Sequence, residues 1–282
     1  MKLITHTDAL NRAVSNFKNN HLSIGFVPTM GALHEGHLSL VEMAKKQCNI
    51  SIVSVFVNPT QFNSKSDLSS YPSNIEKDKF LLEQSQCDIL FFPSVSEIYP
   101  NGEIKNTYFL NGLDKMYEGA KRPGHFDGVC TIVHRLLSLT KADKAYFGQK
   151  DFQQLAIVKQ LVHQTKLKTQ IIEAPTKRER DGLAMSSRNQ LLNPQQRTIA
   201  PTIYQALVEA KQSYGRLKID DIIHKVKSRM NTHKEIKLDY VDIVDAQNLK
   251  PIKTFDPKVK AYMLIAVFLG KVRLIDNLAL ND

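Results

Sequence analysis

The stretch Leu22-Ser-Ile-Gly-Phe-Val-Pro-Thr-Met-Gly-Ala-Leu-His34-Glu-Gly-His37 decides the fold. Its apolar start, Leu22 to Val27, has the length and composition of a strand covered on both faces, and Met30 to Gly36 carries the glycines of a tight turn into a helix. Working outward, Ile50 to Val57, Asp88 to Phe92, Lys144 to Phe147 and Thr169 to Ile172 read as further strands, with amphipathic stretches between them. Val129, Ile132, Val133, Leu136 and Leu137 recur at helical spacing, as do Phe152, Leu155, Ala156 and Val162. Strands alternating with crossover helices predict an α/β fold, a Rossmann-like parallel sheet with flanking helices. After Pro175 the polar loop Thr176 to Arg188 leads to a helix face of Ile219, Ile222, Ile223, Val226 and Met230, then to a period-two alternation from Lys271 to Leu274. Residues 1–176 are therefore expected to form the Rossmann-like domain and residues 177–282 a smaller α+β domain.

Composition narrows the function. The chain has 282 residues, 42% of them hydrophobic, which excludes a disordered or fibrous protein. Its longest uncharged apolar run, Ala261 to Gly270, is far short of the ~20 residues a membrane-crossing helix needs. Met1 to Asp8 carries no apolar block or small-residue cleavage site, so a cytoplasmic protein with no membrane partner is expected. Cys48, Cys87 and Cys130 are far apart and read as buried, reduced side chains. The net charge is +10, yet the charges are scattered, and the densest basic stretch, Lys177 to Arg180, contains Glu179. Small anionic ligands, rather than nucleic acid, are expected.

Five segments carry candidate chemistry, several of them where strands end, the edge at which open parallel sheets bind ligands. In Met30-Gly-Ala-Leu-His34-Glu-Gly36-His37, free amides at a helix start favour an anion, and two imidazoles can donate to phosphate oxygens, more strongly when protonated. The imidazoles are three residues apart, not four as on a zinc-protease helix. Asn58-Pro-Thr-Gln61 offers amides suited to a hydroxyl- or carboxylate-bearing substrate, although Asn-Pro also begins ordinary turns, and Tyr71-Pro72 reads alone as a loop anchor. In Glu118-Gly-Ala-Lys-Arg122-Pro-Gly-His125-Phe-Asp127-Gly128, Arg122 can grip a carboxylate or phosphate with two N–H groups, and Asp127 is expected to cap a helix starting near Val129. In Gly148-Gln149-Lys150-Asp151-Phe152-Gln153-Gln154, Lys150 opposes the helix dipole, a cost explained if it faces a phosphate. Met185-Ser186-Ser187-Arg188, in the loop between the domains, joins two hydroxyls to a guanidinium on a segment able to close.

Taken in order from Leu22 to Asn193, these segments resemble the pantothenate synthetase family. The resemblance implies an ATP-dependent ligase that condenses (R)-pantoate with β-alanine through a pantoyl adenylate, releasing AMP and pyrophosphate. It implies Mg²⁺ with the ATP and a homodimer, with the carboxyl-terminal domain as a lid. It assigns ATP to Met30, Gly31, Ala32, Leu33, His34, Glu35, Gly36 and His37, to Gly148, Gln149, Lys150 and Asp151, to Lys177, and to Met185, Ser186, Ser187 and Arg188. His37, with His34 and Lys150, would be catalytic. Gln61 and Gln154 would hold pantoate, and Asn58, Tyr71 and Arg122 would line the same pocket. Lys177 stands where the family has a small aliphatic residue, and the metal's ligands are left unplaced. The rival reading is a nucleotidyltransferase acting on a phosphorylated small molecule, which shares the histidine turn but gives no reason for Asn58, Gln61 or Arg122.

Overall fold

The computed structural model describes residues 1–64, 68–69, 71–102 and 106–281. They fall into two compact units, Met1–Gln149 with Gln153–Pro175, and Lys150–Phe152 with Thr176–Asp282. Residue 175 closes the first unit, but the short insert Lys150–Phe152 packs with the second.

The first unit is built on β1 (Lys2–Ile4), β2 (Ile24–Thr29), β3 (Ile50–Val55), β4 (Ile89–Phe91), β5 (Lys144–Gly148) and β6 (Gln170–Ala174), a parallel sheet in the order β1-β4-β3-β2-β5-β6. Central strands are apolar on both faces because helices cover both: Ile24, Phe26, Val27, Ile52, Val53, Ala145 and Tyr146 are fully buried. The major helices are α1 (Thr7–Asn19), α2 (Glu35–Gln47), α3 (Ile75–Gln84), α4 (His125–Thr140) and α5 (Phe152–Thr165). Strand β1 went unread in the sequence: three residues at the sheet edge, with only Ile4 buried, are too short to show a period.

The apolar face of α4 is the expected one, Val129, Ile132, Val133, Leu136 and Leu137 all being buried. The helix begins earlier than expected, at His125, and Gly124, with φ of +74°, occupies the cap position that Asp127 was expected to fill. Asp127 lies in the first turn instead, where its charge still complements the helix dipole. On α5 the core face is Leu155, Ile157, Val158 and Leu161, whereas Ala156 and Val162 are half-buried.

Strand order reverses between β2 and β5: β3 and β4 lie on one side, β6 on the other. The crevice at the carboxyl ends of two such strands is where open α/β sheets bind ligands. The turn after β2 is Met30 to His34, and the turn after β5 begins at Gln149.

The second unit is α+β, as expected. Helices α6 (Thr202–Ser213) and α7 (Ile219–Asn231) cover an antiparallel sheet of β7 (Ile236–Asp245), β8 (Ala261–Leu269) and β9 (Val272–Ala279), with β8 in the middle. Its core includes Ile203, Leu207, Ile222, Val226, Met230, Ile243, Met263 and Ile265. The apolar run of β8 is that of a central strand, buried along nearly all its length.

Candidate active site

At the end of β2 the chain turns sharply. Thr29 Oγ1 donates to the Ser54 carbonyl at 2.7 Å and accepts the Gly31 amide at 3.2 Å. Gly31 and Ala32 both take left-handed backbone, φ of +83° and +51°, a conformation unfavourable for alanine. What holds it is Asp78 on α3. Its Oδ2 accepts the Ala32 amide at 2.9 Å and its Oδ1 the Leu33 amide at 2.7 Å. Asp78 is 1% exposed, and burial pushes its carboxyl above the ordinary range against the pull of those two amides. Sequence reading missed Asp78, because a lone acid in an amphipathic helix looks like a solvated charge.

The expectation that this turn offers free amides to an anion is corrected at five of its positions. The amides of Gly31, Ala32, Leu33, His34 and Gly36 are all spent within the chain. The imidazoles remain. His34 caps α2, its Nδ1 accepting the Gly36 amide at 3.1 Å, while the His34 amide donates to His37 Nδ1 at 3.4 Å. Both Nδ1 atoms therefore act as acceptors, which places the ring proton on Nε2 in each neutral ring. The rings are tilted against each other, centroids 4.1 Å apart. Protonating either Nδ1 would break a helix cap, so the neutral Nε2–H, not the imidazolium, is the donor this geometry offers.

The turn after β3 is a buried polar knot. Asn58 and Gln61 bound the 3-10 turn Pro59–Gln61, and Asn58 is 1% exposed. Asn58 Oδ1 accepts from Tyr99 Oη at 2.7 Å and Thr60 Oγ1 at 3.1 Å. Its Nδ2 donates to Gln61 Oε1 and to the Gly128 carbonyl, each at 3.1 Å. Asn58 opens a turn, as Asn-Pro suggests, and its amide is spent within the chain, where it aims Gln61. The Gln61 Nε2 lies 3.0 Å from Met30 Sδ, which joins this turn to the one after β2. The third segment joins them through His125 Nδ1, 2.8 Å from the Gln61 carbonyl, and Arg122 Nη1 is 3.1 Å from His125 Nε2. Helix α4 approaches closely at Gly128, where a Cβ would lie 2.4 Å from the Thr60 carbonyl oxygen. Tyr71 packs edge-on against Phe62, ring centroids 5.8 Å apart.

The two glutamines of α5 part ways. Gln153 is buried and spent: its amide donates to the Leu113 and Met116 carbonyls and accepts the Glu118 amide. Gln154 is half-buried, and no hydrogen bond of its side chain occurs among the described residues. Gln149 Nε2 donates to Glu173 Oε2 at 3.2 Å, and the space beside Gly148 is open.

In the second unit, Lys150 and Asp151 lie in the 3-10 turn Gln149–Asp151 that runs into α5, with Lys150 Nζ 3.7 Å from Asp151 Oδ1. The Lys150 carbonyl accepts from Asn277 Nδ2 at 2.9 Å. Lys150, Leu183, Ala184, Ser186, Asn189 and Asp276 line one small cavity. The loop that precedes Met185 is anchored by Arg178, whose guanidinium pairs doubly with Asp276, donates to the Gly182 carbonyl and lies 3.9 Å over the Tyr204 ring. Burial pushes the Asp276 carboxyl above its usual range, opposed by Arg178 and Lys150. Ser186 Oγ accepts the Arg188 amide at the start of the turn Ser187–Leu191, and Ser187 is buried. The Lys177 side chain is exposed, and its carbonyl accepts the Met185 amide at 3.0 Å. Cys87 and Cys130 are buried thiols as expected, whereas Cys48 is only half-buried, its Sγ 3.7 Å from Tyr146 Oη. Burial pushes the Cys87 thiol up to about 11 and that of Cys130 to about 12, so both are inert at neutral pH. Among the described residues no three His, Cys, Asp or Glu side chains cluster as a metal site, and no helix is long and apolar enough to cross a membrane.

A doubly wound parallel sheet, with a histidine-bearing turn and a knot of amides at neighbouring strand ends, defines a small-molecule enzyme of the Rossmann type. A family model for pantoate-beta-alanine ligase matches residues 2–279, and the chain belongs to that family. A pantothenate synthetase of Fervidobacterium nodosum is 44% identical over 283 residues, covering all of both chains. One from Thermosipho africanus is 42% identical, covering 99% of each. The crystal structure of pantothenate synthetase from Thermus thermophilus superposes with a TM-score of 0.94 at 37% identity, covering all of both chains. That of a pantoate-beta-alanine ligase from Francisella tularensis, complexed with beta-gamma ATP and beta-alanine, gives 0.82 at 36% identity, covering 99% of this chain and 98% of that one.

Proposed function

We infer that this chain joins (R)-pantoate to β-alanine in an ATP-dependent ligation that passes through a pantoyl adenylate. The observation that carries the reading is the 3.0 Å contact between Gln61 Nε2 and Met30 Sδ, which sets an amide suited to pantoate against the histidine turn suited to a triphosphate.

In the first half-reaction a pantoate carboxylate oxygen attacks the α-phosphorus of ATP and pyrophosphate leaves. Two anions must approach, and charge accumulates on the leaving group, so positioned donors supply most of the catalysis. We assign that work to the Nε2–H donors of His34 and His37, to Lys150, and to Ser186, Ser187 and Arg188. Met30–Leu33, Glu35 and Gly36, together with Gly148, Gln149, Asp151, Lys177 and Met185, complete the nucleotide's surroundings; Lys177 contributes backbone, since its side chain is exposed. In the second half-reaction the neutral amine of β-alanine attacks the acyl carbon, AMP leaves with the electron pair of the broken acyl–oxygen bond, and the amine nitrogen gives up one proton to solvent. No enzyme nucleophile is required, and the inert thiols agree with that.

Pantoate is assigned to Gln61 and Gln154, with Arg122 and Tyr71 beside it. Asn58 acts through Gln61, because its own donors and acceptor are occupied. Mg²⁺ is proposed to arrive on the ATP phosphates, its usual habit where carboxylates are few. We further propose a cytoplasmic homodimer: Phe80 and Phe109, 60% and 71% exposed, are apolar surface that a second copy would cover.

Omitting one component at a time from a mixture of ATP, Mg²⁺, pantoate and β-alanine tests the reading. Sustained AMP production is expected only with both acids, and pyrophosphate with pantoate alone in a single turnover. AMP or CMP transfer to a phosphorylated acceptor, with no dependence on β-alanine, would overturn it in favour of a nucleotidyltransferase.

A further inference from the structure

We propose that His125 is a positioning residue that locks Gln61 and Arg122 into one geometry through a single neutral tautomer. The proposal rests on the reading of Gln61 and Arg122 as groups that receive pantoate. Arg122-Pro-Gly-His125 is a tight turn closed by the His125 amide donating to the Arg122 carbonyl at 3.0 Å. Gly124, at φ +74° and ψ −1°, has the backbone of the third residue of a type II turn, and proline is favoured just before it. The turn therefore sets the Arg122 side chain beside the His125 ring with little backbone freedom.

The ring is 5% exposed and packs on Phe126, centroids 4.9 Å apart. Each nitrogen meets a partner able to play only one role. A carbonyl oxygen only accepts, so Nδ1, 2.8 Å from the Gln61 carbonyl, carries the proton. A guanidinium only donates, so Nε2, 3.1 Å from Arg122 Nη1, presents its lone pair. One tautomer satisfies both, and it is the opposite of the one His34 and His37 adopt. Across the ring the Gln61 backbone is tied to Arg122, while Asn58 holds the Gln61 side chain from the other end. Loss of the ring would leave a buried carbonyl and a guanidinium without these partners and would free both substrate-facing groups together.

Two substitutions separate the two bonds. His125→Asn keeps a donor near the Nδ1 position for the Gln61 carbonyl, and His125→Gln keeps an acceptor near Nε2 for Arg122. His125→Phe keeps neither. We expect His125→Phe to raise KM for pantoate about 10-fold or more while KM for ATP stays within about 2-fold, and the Asn and Gln variants each to recover part of that loss. A pantoate KM within about 2-fold of the parent in His125→Phe, or an equal rise in KM for ATP, overturns the proposal. Should His125→Phe not fold, the Asn and Gln variants decide: parental pantoate KM in both is the overturning result. Gln61→Ala is the control for the underlying reading. If it leaves pantoate KM unchanged, both the pantoate assignment and the link fail; if it raises KM while the His125 variants do not, only the link fails.

Discussion

Asp78 holds the Leu33 amide at 2.7 Å, and with it the whole turn between β2 and α2. The same carboxylate holds Ala32 in left-handed backbone, so a buried charge offsets local strain beside the histidines. Asp78→Asn keeps one acceptor oxygen and removes the desolvated charge. We expect its melting temperature to change by only a few degrees, whereas KM for ATP rises about 10-fold, because a lost charge-assisted bond is worth about 1.5–3 kcal/mol. Calorimetry and steady-state kinetics on one preparation check it, and an unchanged KM for ATP would show that the turn holds its shape without the carboxylate.

His34 has two separable roles. Its Nδ1 caps α2, a task that asparagine performs well, while its Nε2–H has no counterpart in asparagine. His34→Asn is expected to retain parental stability but to lose adenylate formation by about 10²-fold, as removal of one charge-stabilising donor does elsewhere. His37→Ala and Lys150→Ala should lose at least as much while staying folded. Pyrophosphate release in a single turnover is the readout, and near-normal release in any of the three counts against its assigned role.

Gly128 is the point where α4 meets the Gln61 turn. A Cβ there would stand 2.4 Å from the Thr60 oxygen and 2.7 Å from the Gln61 nitrogen, both backbone atoms that cannot rotate aside. Gly128→Ala must push the helix off the turn, at a cost of about 1–3 kcal/mol for overpacking. Pantoate KM should rise more than KM for ATP; equal kinetics to the parent would mean the two elements separate without consequence.

Glu97 supplies a pH signature away from the site. It accepts the Thr7 amide at 2.8 Å, the Thr7 hydroxyl and the His6 ring, and these bonds, the Thr7 amide first, hold its carboxyl at about 2 against an ordinary 4.5. A depressed folded-state pKa gives stability that is fully present above about 4.5 and disappears as pH falls through about 2. The stability gap between the parent and Glu97→Gln should therefore narrow steadily across that window. A gap independent of pH would assign Glu97 a purely steric role.

Much of the first unit was legible because its determinants are local. Runs such as Ile50 to Val55 are rich in Ile and Val over a strand's length, and Val129 to Leu137 repeats at 3.6, so each names its own element without reference to the rest. The histidine turn, Gln61 and Lys150 stood out for the same reason: unusual residue types beside a strand end. Asp78 and His125 did not. An acid among Glu76, Lys77 and Lys79 looks like solvated charge, and only the fold shows it buried against Ala32 and Leu33. Gln153 and Gln154 are indistinguishable as letters, yet one is consumed by three backbone groups and the other is not.

By itself, then, the amino-acid order settled the alternation of strands and helices and the α+β character of the carboxyl-terminal unit, and it offered candidates for the chemically able side chains. Periodicity and residue type are properties of neighbouring positions. Tertiary structure alone decided which amides remain available, which ring nitrogen carries a proton and which acid is buried. Those depend on partners tens of residues away, 45 in the case of Asp78 and Leu33, and hydrogen-bond capacity used by one partner is lost to another.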